Sequence, residues 1–301
     1  MALFPFRCCY HERYDLNIGK HVFPATKFRR IYERLREEGL LSEENLMAPS
    51  PATREDLMLV HSPAWVDALV DGTISYGEVV RLEIPYSQPM VEAFRHHVGG
   101  SMLAAESALN DGAAFNIGGG FHHAFQGHGE GFCALHDVGV AIRKLQGQRR
   151  IERAMVIDTD VHQGNGTAAI FAHDPTVFTF SIHQLHNYPM EKPPSDLDVE
   201  LEDGVRDAEY LESLEKGLAT AFQRFNPDLI AYVAGSDPYM YDQLGGLKVS
   251  LDGLSQRDKL VAEEAKSRKI PIFATLAGGY ARDVADTVTI HSNTAKALAF
   301  R

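Results

Sequence analysis

Along the chain, short apolar runs alternate with longer stretches in which apolar positions recur every three or four residues. The clearest runs are AAFNI (113–117), AMVID (154–158), TVFTFSI (176–182), DLIAYVA (228–234) and IPIFATL (270–276). Each is rich in β-branched or aromatic residues and bounded by turn formers, the pattern of a strand buried on both faces. Between them, TKFRRIYERLREEGLL (26–41) sets Phe28, Ile31, Tyr32 and Leu35 on one helical stripe, with Gly39 as a C-cap. SPAWVDALV (62–70) offers Ser62 as an N-cap and Pro63 at the first helical position. DAEYLESLEKGLATAFQRF (207–225) repeats Leu211, Leu214, Leu218 and Phe222 at helical spacing. These stripes read as core packing. Strands alternating with helices predict an α/β fold: one domain over residues 1–301, three-layer α/β/α, with a central, mainly parallel sheet. There is no internal repeat, and the most loop-like segment, EKPPSDLD (191–198), is too short to separate domains.

In such a sheet, ligands bind beyond the carboxyl ends of the strands, and there the polar residues gather. AAFNI runs into GGGFHHAFQGHGEGFC (118–133), and AMVI into Asp158-Thr159-Asp160-Val161-His162. DLIAYVA ends in Gly235-Ser236-Asp237, and IPIFATL in Ala277-Gly278-Gly279-Tyr280. Side chains at i, i+2 and i+4 of an extended segment share a face, so Asp158, Asp160 and His162 point together, with Asp237 arriving from another strand. Any one of these aspartates alone would be read as a turn or cap. As a set they predict a catalytic type of metal site, with protein ligands on part of the coordination sphere and one position open. The tandem His122-His123 adds acid/base capacity near neutral pH. A second tandem pair, His96-His97 in AFRHHVGGSMLAAESAL (93–109), has no strand or glycine run before it and reads as a helix face.

Charge and cysteine usage narrow the class. A formal net charge of −12 argues against a nucleic-acid binder; the basic cluster RKLQGQRR (143–150) reads as a solvated helix end. Cys8, Cys9 and Cys133 are odd in number and show no CxxC spacing, so they do not suggest a thiolate zinc site or a disulfide framework. No stretch approaches a membrane span, and the apolar start is too short for a signal peptide, so a cytoplasmic setting without membrane partners is expected.

Taken together, VHSPAWVDAL, GGGFHHA, GEGFCALHD, DTDVHQGNGT, FSIH, AGSD and AGGY, in this order, resemble the histone deacetylase family of zinc amidohydrolases. GFHHA, HQGNG, HNYP (186–189) and DQLGGL (242–247) look most like the class IV branch and its bacterial relatives. The resemblance implies the arginase/deacetylase fold, with Asp160, His162 and Asp237 as zinc ligands; iron is compatible with the same donors. It makes His122 and His123 the acid/base pair, His123 taking the water proton and protonating the leaving amine. It makes Tyr280 the oxyanion donor and Asp158 the partner of His122. Asp158 and Ser181 would help bind a structural potassium ion. Phe132, Gly131 and Tyr188 would line a tunnel for an acylated amine chain. The activity implied is hydrolysis of acyl groups, acetyl or longer, from lysine side chains; an acetylpolyamine or other small acyl-amine substrate is the alternative. No feature assigns an oligomeric state.

Two residues depart from the class I pattern. Asn165 stands where class I members carry an Asp; a neutral amide stabilises imidazolium less, so His123 is expected in its neutral, basic form. His136 replaces the Asn usual before Asp137, for which the sequence supplies no reason. IPYSQPM (84–90) lacks an acidic residue to clamp a peptide backbone. An arginase-like two-metal hydrolase would need a carboxylate at Tyr239, and a non-catalytic acyl-binding protein would have lost Tyr280 or a ligand.

Overall fold

The computed structural model describes residues 2–299. Its strands are β1 (Arg7–Cys9), β2 (Leu46–Met47), β3 (Ala113–Asn116), β4 (Ala154–Asp158), β5 (Val177–Gln184), β6 (Leu197–Leu201), β7 (Leu229–Val233) and β8 (Ile272–Thr275). They form one sheet in the order β2-β1-β3-β8-β7-β4-β5-β6, and every adjacent pair is parallel. The expected mainly parallel sheet is thus parallel throughout; a helix lies in each crossover between successive strands except β5 to β6, which a loop joins.

The helices are α1 (Lys27–Glu37), α2 (Arg54–Leu57), α3 (Pro63–Asp71), α4 (Tyr76–Leu82), α5 (Gln88–Asp111), α6 (Asp137–Gly147), α7 (Asn165–Phe171), α8 (Asp207–Arg224), α9 (Leu251–Arg268) and α10 (Val284–Ala299). They cover both faces of the sheet, and the strands show how. Met155, Ile157, Ile230 and Tyr232 enter a core shared with Ile31 of α1, Leu218 of α8, Leu254 of α9 and Ile290 of α10. Their neighbours Ala154, Val156, Leu229 and Ala231 enter a second core with Ala104 and Ala108 of α5 and Ile142 of α6. Alternate residues therefore serve opposite layers, which is why these strands read as continuous apolar runs. Each large aliphatic side chain removed from water contributes roughly 1.5–3 kcal/mol.

The predicted helix ends match. Ser62 Oγ accepts the Trp65 amide with Pro63 at the first turn, and Gly39 follows α1 with φ +71°. On α8, Leu214 and Leu218 are buried while Leu211 and Phe222 are half-buried. The differences lie toward the two ends of the sheet. β1, β2 and β6 were not legible as apolar runs, because two are very short and β6 is largely half-exposed at the edge. The predicted loop EKPPSDLD gives up its last two residues, Leu197 and Asp198, to β6, whose backbone pairs with β5. Among the described residues, no helix is long and apolar enough to cross a membrane.

Candidate metal centre and active site

The four central strands β3, β4, β7 and β8 release their chains at the same sheet rim. Past Asp158 the chain bends instead of continuing as a strand. Asp158 Oδ1 accepts the Asp160 amide at 3.1 Å, and Asp160 Oδ1 accepts the His162 amide at 3.0 Å. These local carboxylate-to-amide bonds are the turn chemistry of aspartate. The bend sorts the three side chains expected to share a face: Asp158 turns to His122, and Asp160 and His162 join Asp237.

Asp160, His162 and Asp237 are buried and each offers a ligand atom within 4.8 Å of the others. His162 Nδ1 lies 3.0 Å from Asp160 Oδ1 and 3.4 Å from Asp237 Oδ2. The other carboxylate oxygens are anchored: Asp160 Oδ2 accepts the Gly278 amide at 2.8 Å and Asp237 Oδ1 accepts the Val161 amide at 2.8 Å. Gly278 has to be glycine, since a Cβ there would collide with both carboxylates. Below them the buried Arg257 guanidinium donates to the Gly235 carbonyl and holds the loop that carries Asp237.

Asp237 Oδ2 is buried without a hydrogen bond. An unpaired buried carboxylate oxygen is costly unless a cation meets it. Burial and the neighbouring Asp160 push the Asp237 carboxyl up to about 7. Burial opposes charge on His162, yet the two carboxylates outweigh it and lift the imidazole to about 10. The cluster thus draws a positive charge to the point where the three ligand atoms meet. One nitrogen and two carboxylate oxygens suit a divalent transition ion there.

The two tandem histidines flank this centre, their rings 4.0 Å apart. His122 Nδ1 donates to Asp158 Oδ2 at 2.6 Å, and His123 Nδ1 to Asn165 Oδ1 at 2.7 Å. Burial disfavours charge on both. At His122 the carboxylates of Asp158 and Asp160 overcome it and raise the imidazole to about 9. At His123 burial is reinforced by His122 and His162, which hold it well below the ordinary histidine range. Their surroundings thus push the two neighbouring imidazoles in opposite directions, the kind of separation that distinguishes an acid from a base. The expectation of a neutral His123 holds, with burial as the leading cause.

Tyr280 is buried, and burial together with Asp237 and Asp160 keeps its phenol protonated. Asp242 Oδ2 accepts the Tyr280 amide at 2.7 Å and fixes its backbone. His123, His162 and Tyr280 line a cavity of about 200 Å³ with Gly131, Phe132, Tyr188, Leu244, Asn187 and Glu83. Tyr188 stands edge-on to His123 at 4.9 Å, and Phe132 edge-on to Tyr280 at 5.9 Å. The expected site residues therefore converge. Ser181 lies beside Asp158 in register on β5, and its hydroxyl is bonded to His183 Nδ1 at 2.9 Å.

Several supporting residues were not foreseen. Asp137 accepts the Gly120 and Phe121 amides and pins the glycine run. His97 Nδ1 accepts the Gly119 amide at 3.1 Å, so the second tandem pair braces the loop of the first. His136 now has a reason: Nδ1 caps α6 through the Gly139 amide, and Nε2 donates to Thr167 Oγ1 at 2.9 Å. Lys27 is fully buried on α1 and donates to the Ala277 carbonyl at 2.6 Å beside the site. Glu83, the residue before IPYSQPM, places a carboxylate on the cavity wall. Glu130, between two glycines of GEGFC, bonds both Asn165 and Tyr188. A carboxylate inside a glycine-rich loop that follows a strand was the available signal for it.

Comparison with known proteins places this geometry. The histone deacetylase domain matches residues 21–295. An uncharacterized protein of Picosynechococcus sp. is 40% identical, with 95% of this chain and 96% of that protein covered. Histone deacetylase 2 of Arabidopsis thaliana is 35% identical, covering 93% of this chain and 76% of that one. The acetoin utilization protein AcuC of Staphylococcus aureus is 30% identical over 87% of this chain and 73% of its own. Among solved structures, the HDA15 HD domain superposes with a TM-score of 0.81 at 21% identity, covering 98% of this chain and 88% of that one. That likeness shows the shared α/β fold.

Proposed function

The chain belongs to the histone deacetylase family, and from that premise we propose that it is a metal-dependent amidohydrolase that removes acyl groups from lysine side chains. One observation carries the reading: His123 and Tyr280 line the same cavity as His162 of the Asp160–His162–Asp237 cluster. Zinc, held by those three side chains, would polarise the substrate carbonyl and acidify a water. His123, with its proton on Nδ1 toward Asn165, presents Nε2 to take a proton from that water and return it to the leaving amine. His122, tied to Asp158, supplies positive charge beside the reacting carbonyl. The Tyr280 hydroxyl donates to the oxyanion as the carbonyl becomes tetrahedral. Gly131, Phe132 and Tyr188 form walls suited to a neutral alkyl chain. Asp158 and Ser181, adjacent in register, are the pair that would help hold potassium.

The test is hydrolysis of acetyl- to myristoyl-lysine peptides, beside acetylated polyamines, by zinc-reconstituted protein. Turnover should vanish with a chelator and return with zinc. Tyr280→Phe should lower kcat about 10²- to 10³-fold, the loss typical of one oxyanion donor. Stoichiometric metal without turnover of any acyl-lysine would sink the proposal, and a clear preference for acetylated polyamines would move it to that substrate class.

A further inference from the structure

Behind His123 stands a carboxylate. Asn165 accepts from His123 Nδ1 through Oδ1 and donates Nδ2 to Glu130 Oε1 at 2.6 Å. The same Oε1 accepts the Tyr188 hydroxyl at 2.7 Å, while Oε2 pairs with His128 Nε2 at 3.1 Å. Glu130 is itself held in place. Its amide donates to the Cys133 carbonyl at 3.2 Å, and the Cys133 amide returns to the Glu130 carbonyl at 2.9 Å. The next residue, Gly131, has φ +52°, and a Cβ there would lie 2.8 Å from His123 Cδ2 and 3.1 Å from Tyr188 Cε1. The loop therefore brings Glu130 against the acid/base histidine and the cavity wall together.

An asparagine amide has two ends of nearly equal shape and opposite hydrogen-bonding character. Only Nδ2 can donate to Glu130, so Oδ1 is left facing His123; the Gly166 amide, 3.0 Å from Oδ1, favours the same orientation. Oδ1 can only accept, which puts the His123 proton on Nδ1 and leaves Nε2 as the basic nitrogen. A carboxylate on Nδ2 also polarises the amide and strengthens Oδ1 as an acceptor. The neutral Asn165 is thus backed by a negative charge one group further out.

We propose that Glu130 is a positioning residue serving two parts of the site at once: it orients and polarises the Asn165 amide that fixes His123, and it holds the Tyr188 phenol that walls the acyl-amine cavity. This rests on the assignment of His123 as the base.

The experiment uses zinc-loaded protein, acetyl-lysine peptide kinetics and ¹⁵N NMR of the His123 ring, assigned with a His123→Gln control. Glu130→Ala should lower kcat about tenfold, a fraction of what a general base contributes, and raise KM as Tyr188 loosens. Glu130→Gln keeps one acceptor and should recover part of the loss. Tyr188→Phe should raise KM while sparing kcat. In an Asn165→Ala background, Glu130→Ala should cost no further kcat, because its route to His123 is already cut. The ring should shift from a pure Nδ1–H tautomer to a mixture in Glu130→Ala. Losses that multiply with Asn165→Ala, or an unchanged tautomer, would overturn the proposal. A wild-type protein that hydrolyses neither acyl-lysine nor acetylated polyamine would defeat the base assignment, and the tautomer measurement would then still decide whether Glu130 sets the ring.

Discussion

His96-His97 and His122-His123 are the same dipeptide and all four rings are buried, yet the two pairs sit in opposite surroundings. Both nitrogens of His97 are spent on backbone: Nε2 donates to the Tyr14 carbonyl at 2.9 Å and Nδ1 accepts the Gly119 amide. Burial pushes that ring down to about 3, so it stays neutral and structural. His122 and His123 spend Nδ1 on side chains, a carboxylate and an amide, and His123 lines the cavity. Burial alone makes a histidine inert. What makes one chemical is a polar side chain behind Nδ1 and open space before Nε2.

Substitutions can break this contrast. The largest effect is expected at His123→Ala, where kcat should fall by about 10²–10⁴ with metal content and melting temperature near wild type. A collapse of melting temperature instead would mean that both pairs are structural. The matching change, His97→Asn, should cost about 1–3 kcal/mol of stability, because the Tyr14 carbonyl loses its partner. Thermal or urea unfolding measures it, and any fall in kcat should be smaller than at His123.

A pH series sharpens the same point. His97 at about 3, His136 at about 3 and His61 at about 4 are all depressed, chiefly by burial. A depressed histidine stays neutral in the folded chain while the unfolded chain takes up a proton near 6.5. Its contribution is therefore complete above about pH 6.5 and is lost as pH falls toward the folded values. Unfolding midpoints should drop between pH 6.5 and 4, and His97→Asn should lessen that slope. An unaltered slope would remove His97 from the acid-sensitive set. The smallest effect is expected at His136→Asn. The amide oxygen can keep the cap on α6 but loses Thr167, costing about 0.5–1.5 kcal/mol with kcat unchanged.

Much of the site was legible because strand ends carry it. Asp160, His162, Asp237, His122, His123 and Tyr280 each follow an apolar run, and a parallel sheet brings such ends to one rim. Asp158 was legible in its role through the family resemblance, which paired it with His122 as the structure does; extended geometry alone had put it with Asp160 and His162, and the bend after β4 separates it from them. The supporting residues were hidden for a different reason. Asp137, His97 and Asp242 act through contacts with residues distant in the chain, and nothing local marks them; Glu130 had only its glycine-rich loop to mark it. His136, an unexplained departure in the sequence, needed Thr167 beside it before it made sense. The outer strands were missed because β1 and its edge neighbour β2 are too short, and the edge strand β6 too exposed, to leave an apolar run.

By itself, the sequence determined the layers of the fold, the rim where chemistry occurs and the side chains that gather there. Those follow from periodicity and from which residue types sit at strand ends, both of which are local properties. Only the tertiary structure decided how strongly burial and neighbouring carboxylates push the two imidazoles apart, that Asp237 Oδ2 is left without a hydrogen bond, and that Glu130 stands behind Asn165. Those depend on burial and on distances of a few ångströms between separate loops, and electrostatic interaction in a buried site changes steeply over that range.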